Sequence, residues 1–262
     1  MTLALEPFHQ PDSTVASKIF ASPNHGERKA PVDAIVLHYT GMDGAVDALH
    51  WLCNPLSEVS CHYFVFEDGQ LLQLVPEARR AWHAGRGCWA GETDINSRSI
   101  GIEIVNPGHA RGAPPFAAAQ IDAAIALCRD IAARHAISPQ RILAHSDIAP
   151  GRKQDPGEIF PWPQLHESGI GHLVPPHPLA GGRHLELGDQ GAPVAALQDM
   201  LAIYGYGIVA SGLYDAHTQA VVAAFQRHFR PARVDGIADT SSVATLRDLI
   251  AALPSNIWLA NS

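Results

Sequence analysis

The run Ile100-Gly-Ile-Glu-Ile-Val105 constrains this chain more than any other stretch. It reads as a strand, yet Glu103 interrupts an otherwise apolar segment, and a carboxylate buried without a partner is costly. Period-two alternation puts Glu103 on the same face as Gly101, so it points either to solvent or into a site. Ionisable groups kept in such places often mark catalysis. A second run, Ala34-Ile-Val-Leu-His-Tyr-Thr40, poses the same question with an imidazole. Val36, His38 and Thr40 share one face, Ile35, Leu37 and Tyr39 the other, and Gly41 ends the run. His38 is therefore either a satisfied core histidine or a ligand at a strand end.

A third short apolar run, Ile142-Leu-Ala144, leads into His145-Ser-Asp-Ile-Ala-Pro-Gly-Arg-Lys-Gln-Asp-Pro-Gly157. Pro150, Gly151, Pro156 and Gly157 stiffen the backbone around Lys153 and Asp155, and proline does so at low entropic cost. Between these segments the spacing predicts further elements. Val46 to Leu52 has helical periodicity. Cys61 to Phe66 and Leu71 to Val75 are strand-like runs joined by Glu67-Asp-Gly-Gln70, a hairpin connector. Ala119 to His135 is an amphipathic helix, with Ile121, Ile125, Cys128, Ile131 and Ala132 on one stripe. Residues 1 to 29 are polar and broken by prolines, which predicts an irregular lead-in.

After a Pro/Gly-rich stretch at 174–182 the chain changes character. Three helical patterns follow, marked by Val194, Leu197 and Leu201, then Val221, Val222 and Phe225, then Val243, Leu246, Leu249 and Ile250. Turns containing glycine separate them, which predicts a small all-α module whose core is marginal alone.

Composition excludes several classes. With 47% hydrophobic and 17% charged residues in 262, the chain can bury a core. The formal charge of −8 has no block of like sign, which argues against nucleic acid or an anionic membrane as partner. No run approaches the ~18 apolar residues of a membrane span. Glu6, Pro7 and Asp12 interrupt the place of a secretory leader, and no cysteine precedes Cys53 for lipid attachment. The expected compartment is thus the cytoplasm, or the periplasm or cell wall by a route the sequence does not show. The 4 cysteines form no C-x-x-C pair and are expected as buried small hydrophobes, with a Cys53–Cys61 bridge left open.

His38, Glu103, His145, Lys153 and Asp155 all lie near strand ends or in the loop after one, where α/β folds bind ligands. Two imidazoles and a carboxylate form a set typical of catalytic zinc, which leaves one coordination position open. Zinc would lower the pKa of its water toward ~7 and polarise a carbonyl. A glutamate could then shuttle the proton to a leaving amine, and a lysine could hold the oxyanion. That set describes amide hydrolysis, although spacing alone is a weak signal for it.

The segments Leu37-His-Tyr-Thr40, Ser60-Cys-His-Tyr63, Ala81-Trp-His-Ala-Gly85, Ser99-Ile-Gly-Ile-Glu103 and His145 to Gly157 resemble, in order, the motifs of one family. It is that of the zinc N-acetylmuramoyl-L-alanine amidases of type 2, which share the fold of peptidoglycan recognition proteins. The resemblance implies an α/β fold with a mixed central β-sheet flanked by helices. Carried over position by position, it implies one zinc ion held by His38, His145 and Asp155. Glu103 is then the catalytic glutamate and Lys153 the transition-state lysine. His62 and Tyr63 fall where relatives place a polar residue near the metal. Trp82, His83, Trp89 and Asn96 fall on a wall for muramic acid or stem peptide. Val194 to Gln198, Tyr204-Gly-Tyr206, Gly212 to Asp215, Ala223 to Gln226 and Asp235-Gly236 are similar to a peptidoglycan-binding three-helix domain.

The implied organisation is a lead-in at 1–29, a catalytic domain at 30–173, a linker at 174–182, the three-helix domain at 183–252 and a tail at 253–262. The implied function is hydrolysis of the amide between N-acetylmuramic or anhydro-muramic acid and L-alanine in peptidoglycan or muropeptides. A non-catalytic recognition protein and a zinc peptidase acting within the stem peptide are the alternatives. On this reading the three-helix domain should be dispensable for cleaving small muropeptides.

Overall fold

A computed structural model describes residues 9–254; the outer parts of the lead-in and of the tail lie outside the described residues. The chain forms two compact units. The first takes residues up to Gly85 together with Asn96–Ser138, and the second takes Arg86–Ile95 together with the chain from Pro139 onward.

Along the chain the strands are β1 (Lys18–Ile19), β2 (His25–Glu27), β3 (Ala34–Tyr39), β4 (Tyr63–Val65), β5 (Leu71–Gln73), β6 (Arg79–Ala81), β7 (Ser99–Ile104) and β8 (Ile142–Ala144). The helices are α1 (Ala45–Leu52), α2 (Ile95–Arg98), α3 (Ala118–His135), α4 (His145–Ile148), α5 (Trp162–Glu167), α6 (Ala192–Tyr204), α7 (Ala216–Phe229) and α8 (Thr240–Ala251). A sheet of order β1-β5-β4-β7-β3-β8 forms the centre, and β2 and β6 make a separate two-stranded ribbon. The sheet is mixed: β4 and β5 are an antiparallel hairpin, whereas β4 with β7, β7 with β3, and β1 with β5 run parallel. The lead-in is less irregular than its prolines suggest, because β1 joins the β5 edge and His25–Glu27 pairs with Arg79–Ala81.

Alternation along the central strands decides what each face buries. Ile35, Leu37, Ile100, Ile102 and Ile104 are fully enclosed, as continuous apolar runs covered on both faces should be. Helix α1 lays Ala48, Leu49 and Leu52 against Phe64, Leu72, Leu74 and Val105. Helix α3 buries Ile121, Ala124, Ile125, Leu127, Cys128 and Ile131 along one stripe. Its Gln120 side chain accepts from Ala117 N and donates to the Val105 carbonyl, tying the helix start to the end of β7. All four cysteines are free thiols, so the bridge left open between Cys53 and Cys61 does not form. Burial pushes the Cys128 thiol up to about 12.

The second unit contains the three predicted helices of the C-terminal region. Two glutamines do the same job on successive helices, Gln198 on α6 and Gln226 on α7. Gln198 accepts from Gly212 N and donates to the Leu213 carbonyl and Thr218 Oγ1. Gln226 accepts from Asp235 N and Gly236 N and donates to the Ile237 carbonyl and Ser242 Oγ. Each thereby fastens a glycine turn to the start of the next helix, which Asp215 or Asp239 caps.

One buried ion cluster holds α3 to the loop after β5. Glu77 is almost inaccessible and accepts from Tyr63 Oη (2.6 Å), from both terminal nitrogens of Arg134 (2.5 and 2.7 Å) and from His135 Nε2 (2.6 Å). Burial pushes its carboxyl up, but the hydrogen bonds from Arg134, His135 and Tyr63 outweigh that and bring it down to about 2. A depressed carboxylate stabilises the fold above its unfolded pKa, near 4.5, and loses that contribution as pH falls through the folded value. Glu77→Gln should therefore cost about 3 kcal/mol at pH 7. In urea titrations the gap from wild type should shrink between pH 5 and pH 2; a gap independent of pH would show that the charge on Glu77 does not matter.

Candidate functional site

The central strands position the first two candidates. Strands β3 and β7 pair in parallel, with His38 opposite Glu103, and on its other side Glu103 faces Phe64 of β4. His38 sits one residue before the end of β3 and is 1% exposed. Its Nε2 lies 3.1 Å from His83 Nδ1, and His83 Nε2 lies 3.2 Å from Ser99 Oγ. His83 can occupy this place only because β7 has glycine beneath it: a Cβ on Gly101 would lie 2.3 Å from the His83 ring. Asn96 Oδ1 accepts from His83 N and Ala84 N, which fixes the turn carrying that ring.

His145 is the first residue of α4, directly after β8. Its Nδ1 lies 2.9 Å from Asp155 Oδ2, and both residues are buried. The loop between them is closed by Ser146 N donating to the Asp155 carbonyl and by Lys153 N donating to the Ala149 carbonyl. Lys153 is half-buried, and among the described residues no hydrogen bond or ion pair engages its ammonium. His38, His145 and Asp155 each offer a ligand atom, and these atoms all lie within 4.8 Å of one another. A set of two imidazoles and one carboxylate at that spacing, all buried, has the chemistry of a zinc site with an open position.

The remaining sequence candidates divide. His83 and Asn96 connect to His38 as described. Trp82 follows β6 and is half-buried, with its backbone N–H on Ser60 Oγ. His62 is fully buried: Gly101 N donates to its Nδ1, and its Nε2 lies 2.8 Å from Arg28 Nη2 and 3.1 Å from the Arg79 carbonyl. Burial and the Arg28 charge bring its pKa down to about 3, so it stays a neutral structural imidazole. Tyr63 is also fully buried and spends its hydroxyl on Glu77. Trp89 is interior, edge-on to Tyr204 and Tyr206 at ring distances of 6.1 and 5.0 Å. All three are buried, and the polar atoms of His62 and Tyr63 are engaged by Arg28, Gly101 and Glu77.

Two participants have no reading in the sequence. Arg28 donates to the carbonyls of Glu77, Ser97 and Ser99 and so braces the His62 side of the sheet. Asp147 is completely inaccessible, two residues after His145. No anomaly like that of Glu103 marks it, because in Ala144-His-Ser-Asp-Ile-Ala149 the aspartate directly follows two polar residues.

Comparison with known proteins bears on this geometry. The N-acetylmuramoyl-L-alanine amidase family matches residues 28–158, and a putative peptidoglycan binding domain matches residues 190–246. The chain is 40% identical to the N-acetylmuramoyl-L-alanine amidase AmiD of Escherichia coli over 233 residues, 84% of this chain and 82% of that protein. It is 36% identical to the 1,6-anhydro-N-acetylmuramyl-L-alanine amidase AmpD of Enterobacter cloacae over 108 residues, 41% of this chain and 56% of that one. Among solved structures, E. coli AmiD in complex with the substrate anhydro-N-acetylmuramic acid-L-Ala-D-γ-Glu-L-Lys superposes with a TM-score of 0.73 at 36% identity, covering 87% of this chain and 97% of that one. AmpDh3 of Pseudomonas aeruginosa, in complex with an anhydromuramic pentapeptide, gives 0.70 at 29% identity, covering 90% and 96%. The mixed sheet with flanking helices and the C-terminal helices are thus those of a known enzyme class, and the chain belongs to the N-acetylmuramoyl-L-alanine amidase family.

Proposed function

We propose that the protein is a zinc-dependent hydrolase that cuts the amide between N-acetylmuramic or anhydro-muramic acid and the L-alanine of the stem peptide. The observation that carries this reading is the buried convergence of His38, His145 and Asp155. These residues would hold the metal, which when bound supplies a Lewis acid able to activate water near neutral pH and to polarise the scissile carbonyl.

The protein's own groups have the remaining tasks. Glu103, in register with His38, takes the proton of the attacking water and returns it to the amine of L-alanine as the C–N bond breaks. The Lys153 ammonium stabilises the negative charge that develops on the former carbonyl oxygen. His83 orients His38. When His38 Nε2–H donates to His83 Nδ1, and His83 Nε2–H to Ser99 Oγ, His38 Nδ1 keeps its lone pair for the metal. Asn96 holds the His83 turn, and Trp82 is the remaining candidate for contact with sugar or peptide. The catalytic domain is taken as residues 30–173 and the peptidoglycan-binding domain as 183–252. The bound anhydromuramyl peptides of the two relatives support muropeptides as the substrate class.

Digestion of purified sacculi or anhydro-muropeptides by zinc-loaded protein should release peptides that begin with L-alanine, identified by mass spectrometry. Peptides lacking L-alanine would show a peptidase instead, and zinc-loaded protein that leaves the sugar–peptide bond intact would show a recognition protein. Glu103→Ala should bind zinc normally while its kcat falls by about 10²–10⁴. An active variant would remove Glu103 from the role of base. Asp155→Ala should lose zinc on dialysis, measured by elemental analysis; unchanged metal content would place the third ligand elsewhere.

A further inference from the structure

We infer that Tyr206 and His228, both in the region matched as a peptidoglycan-binding domain, are positioning residues for the metal loop, acting through Asp147. The inference rests on the assignment of His145 as a metal ligand.

Asp147 lies on α4, a single turn whose first residue is His145, and its carboxylate is fully enclosed within the second unit. Three donors satisfy it. Tyr206 Oη donates to Oδ1 at 2.8 Å, His228 Nδ1–H to Oδ2 at 2.7 Å, and Ala144 N to Oδ2 at 2.8 Å. One of these fastens the carboxylate to the backbone entering α4, and the other two come from the C-terminal helices. Tyr206 follows α6, and His228 is on α7.

Both partners are held in place themselves. The His228 ring stacks on Trp162 at 3.7 Å and on Phe229 at 3.8 Å. The Tyr206 ring packs on Trp89 at 5.0 Å, and Ala90 N donates to the Gly205 carbonyl at 2.7 Å. Gly205 permits this approach, since a Cβ there would lie 2.6 Å from Trp89.

A buried carboxylate deprived of donors is left uncompensated, and it either moves toward water or becomes neutral. Either change loosens the bond from Ala144 N to Asp147 that fixes the entry to α4, and α4 carries His145. The C-terminal helices therefore complete the metal loop, whatever ligand they also bind. Removal of residues 183–262, which the sequence reading expects to leave small-substrate cleavage largely intact, strips two of the three donors from Asp147.

The test uses full-length protein with Tyr206→Phe, His228→Leu and the double variant, alongside wild type and His145→Ala. Zinc affinity is measured by competition with a chromophoric chelator, and ligand geometry by the visible spectrum of the cobalt-substituted protein. Each single variant should bind zinc about tenfold more weakly, the double variant more weakly still, and the cobalt bands should shift. His228→Asn, which retains a donor near Nδ1, should recover part of the loss. Tyr214→Phe is the control: its hydroxyl bonds the Gly236 carbonyl in the same helical region, far in sequence from α4, so it should lower stability and leave the metal readouts unchanged. Wild-type zinc affinity and cobalt spectrum in a folded Tyr206→Phe protein would overturn the inference. Failure of wild type to bind zinc, or unchanged binding by His145→Ala, would instead overturn the metal assignment beneath it.

Discussion

The parallel pairing of β3 with β7 is the constraint on which the rest of the first unit depends. Central strands saturate their backbone hydrogen bonds and have little freedom to shift, because a slip of one residue would turn every side chain to the other face. The register that buries Ile35, Leu37, Ile100 and Ile102 also places His38 opposite Glu103. Two polar residues are thus held in an apolar sheet by the packing of their neighbours. Gly101 extends the arrangement, since its missing side chain is the space that His83 fills.

Around that sheet the buried polar groups fall into separate networks with separate consequences. Glu77 with Tyr63, Arg134 and His135 anchors the end of α3 and serves stability. His62 with Arg28 and Gly101 is likewise structural, its imidazole kept neutral by burial and a neighbouring guanidinium. His38 with His83 and Ser99 is the network that leads to the ligand set. Asp147 with Tyr206 and His228 is the one formed with the C-terminal helices. Histidine abundance in the composition therefore reflects several different jobs, and only geometry sorts them.

Local features were readable because they rest on local physics. Strand runs at 34–39 and 99–104, the hairpin around Asp68-Gly69, the stripe of α3 and the three C-terminal helices all follow from periodicity and turn chemistry. The candidate ligands and the candidate base were readable for another reason: His38 and Glu103 are polar interruptions of apolar strands, and His145 and Asp155 sit in a loop stiffened by proline and glycine. Trp89, Tyr63 and His62 were less legible. An aromatic or a histidine in an ordered motif looks the same in sequence whether it faces a cleft or the interior, and burial depends on what packs against it.

By itself the sequence determined the longer strands and helices, the family and a candidate set of groups for amide hydrolysis, since each is encoded in short segments. Only the tertiary structure decided which of those groups meet. It brought together atoms able to act as ligands from His38 and from residues more than a hundred positions away, and set His83, its turn held by Asn96, against His38. It also tied Asp147 to Tyr206 and His228, some sixty and eighty residues further along. The physical reason is that an enclosed carboxylate must find its donors wherever the fold places them, and that choice leaves no periodic trace in the sequence.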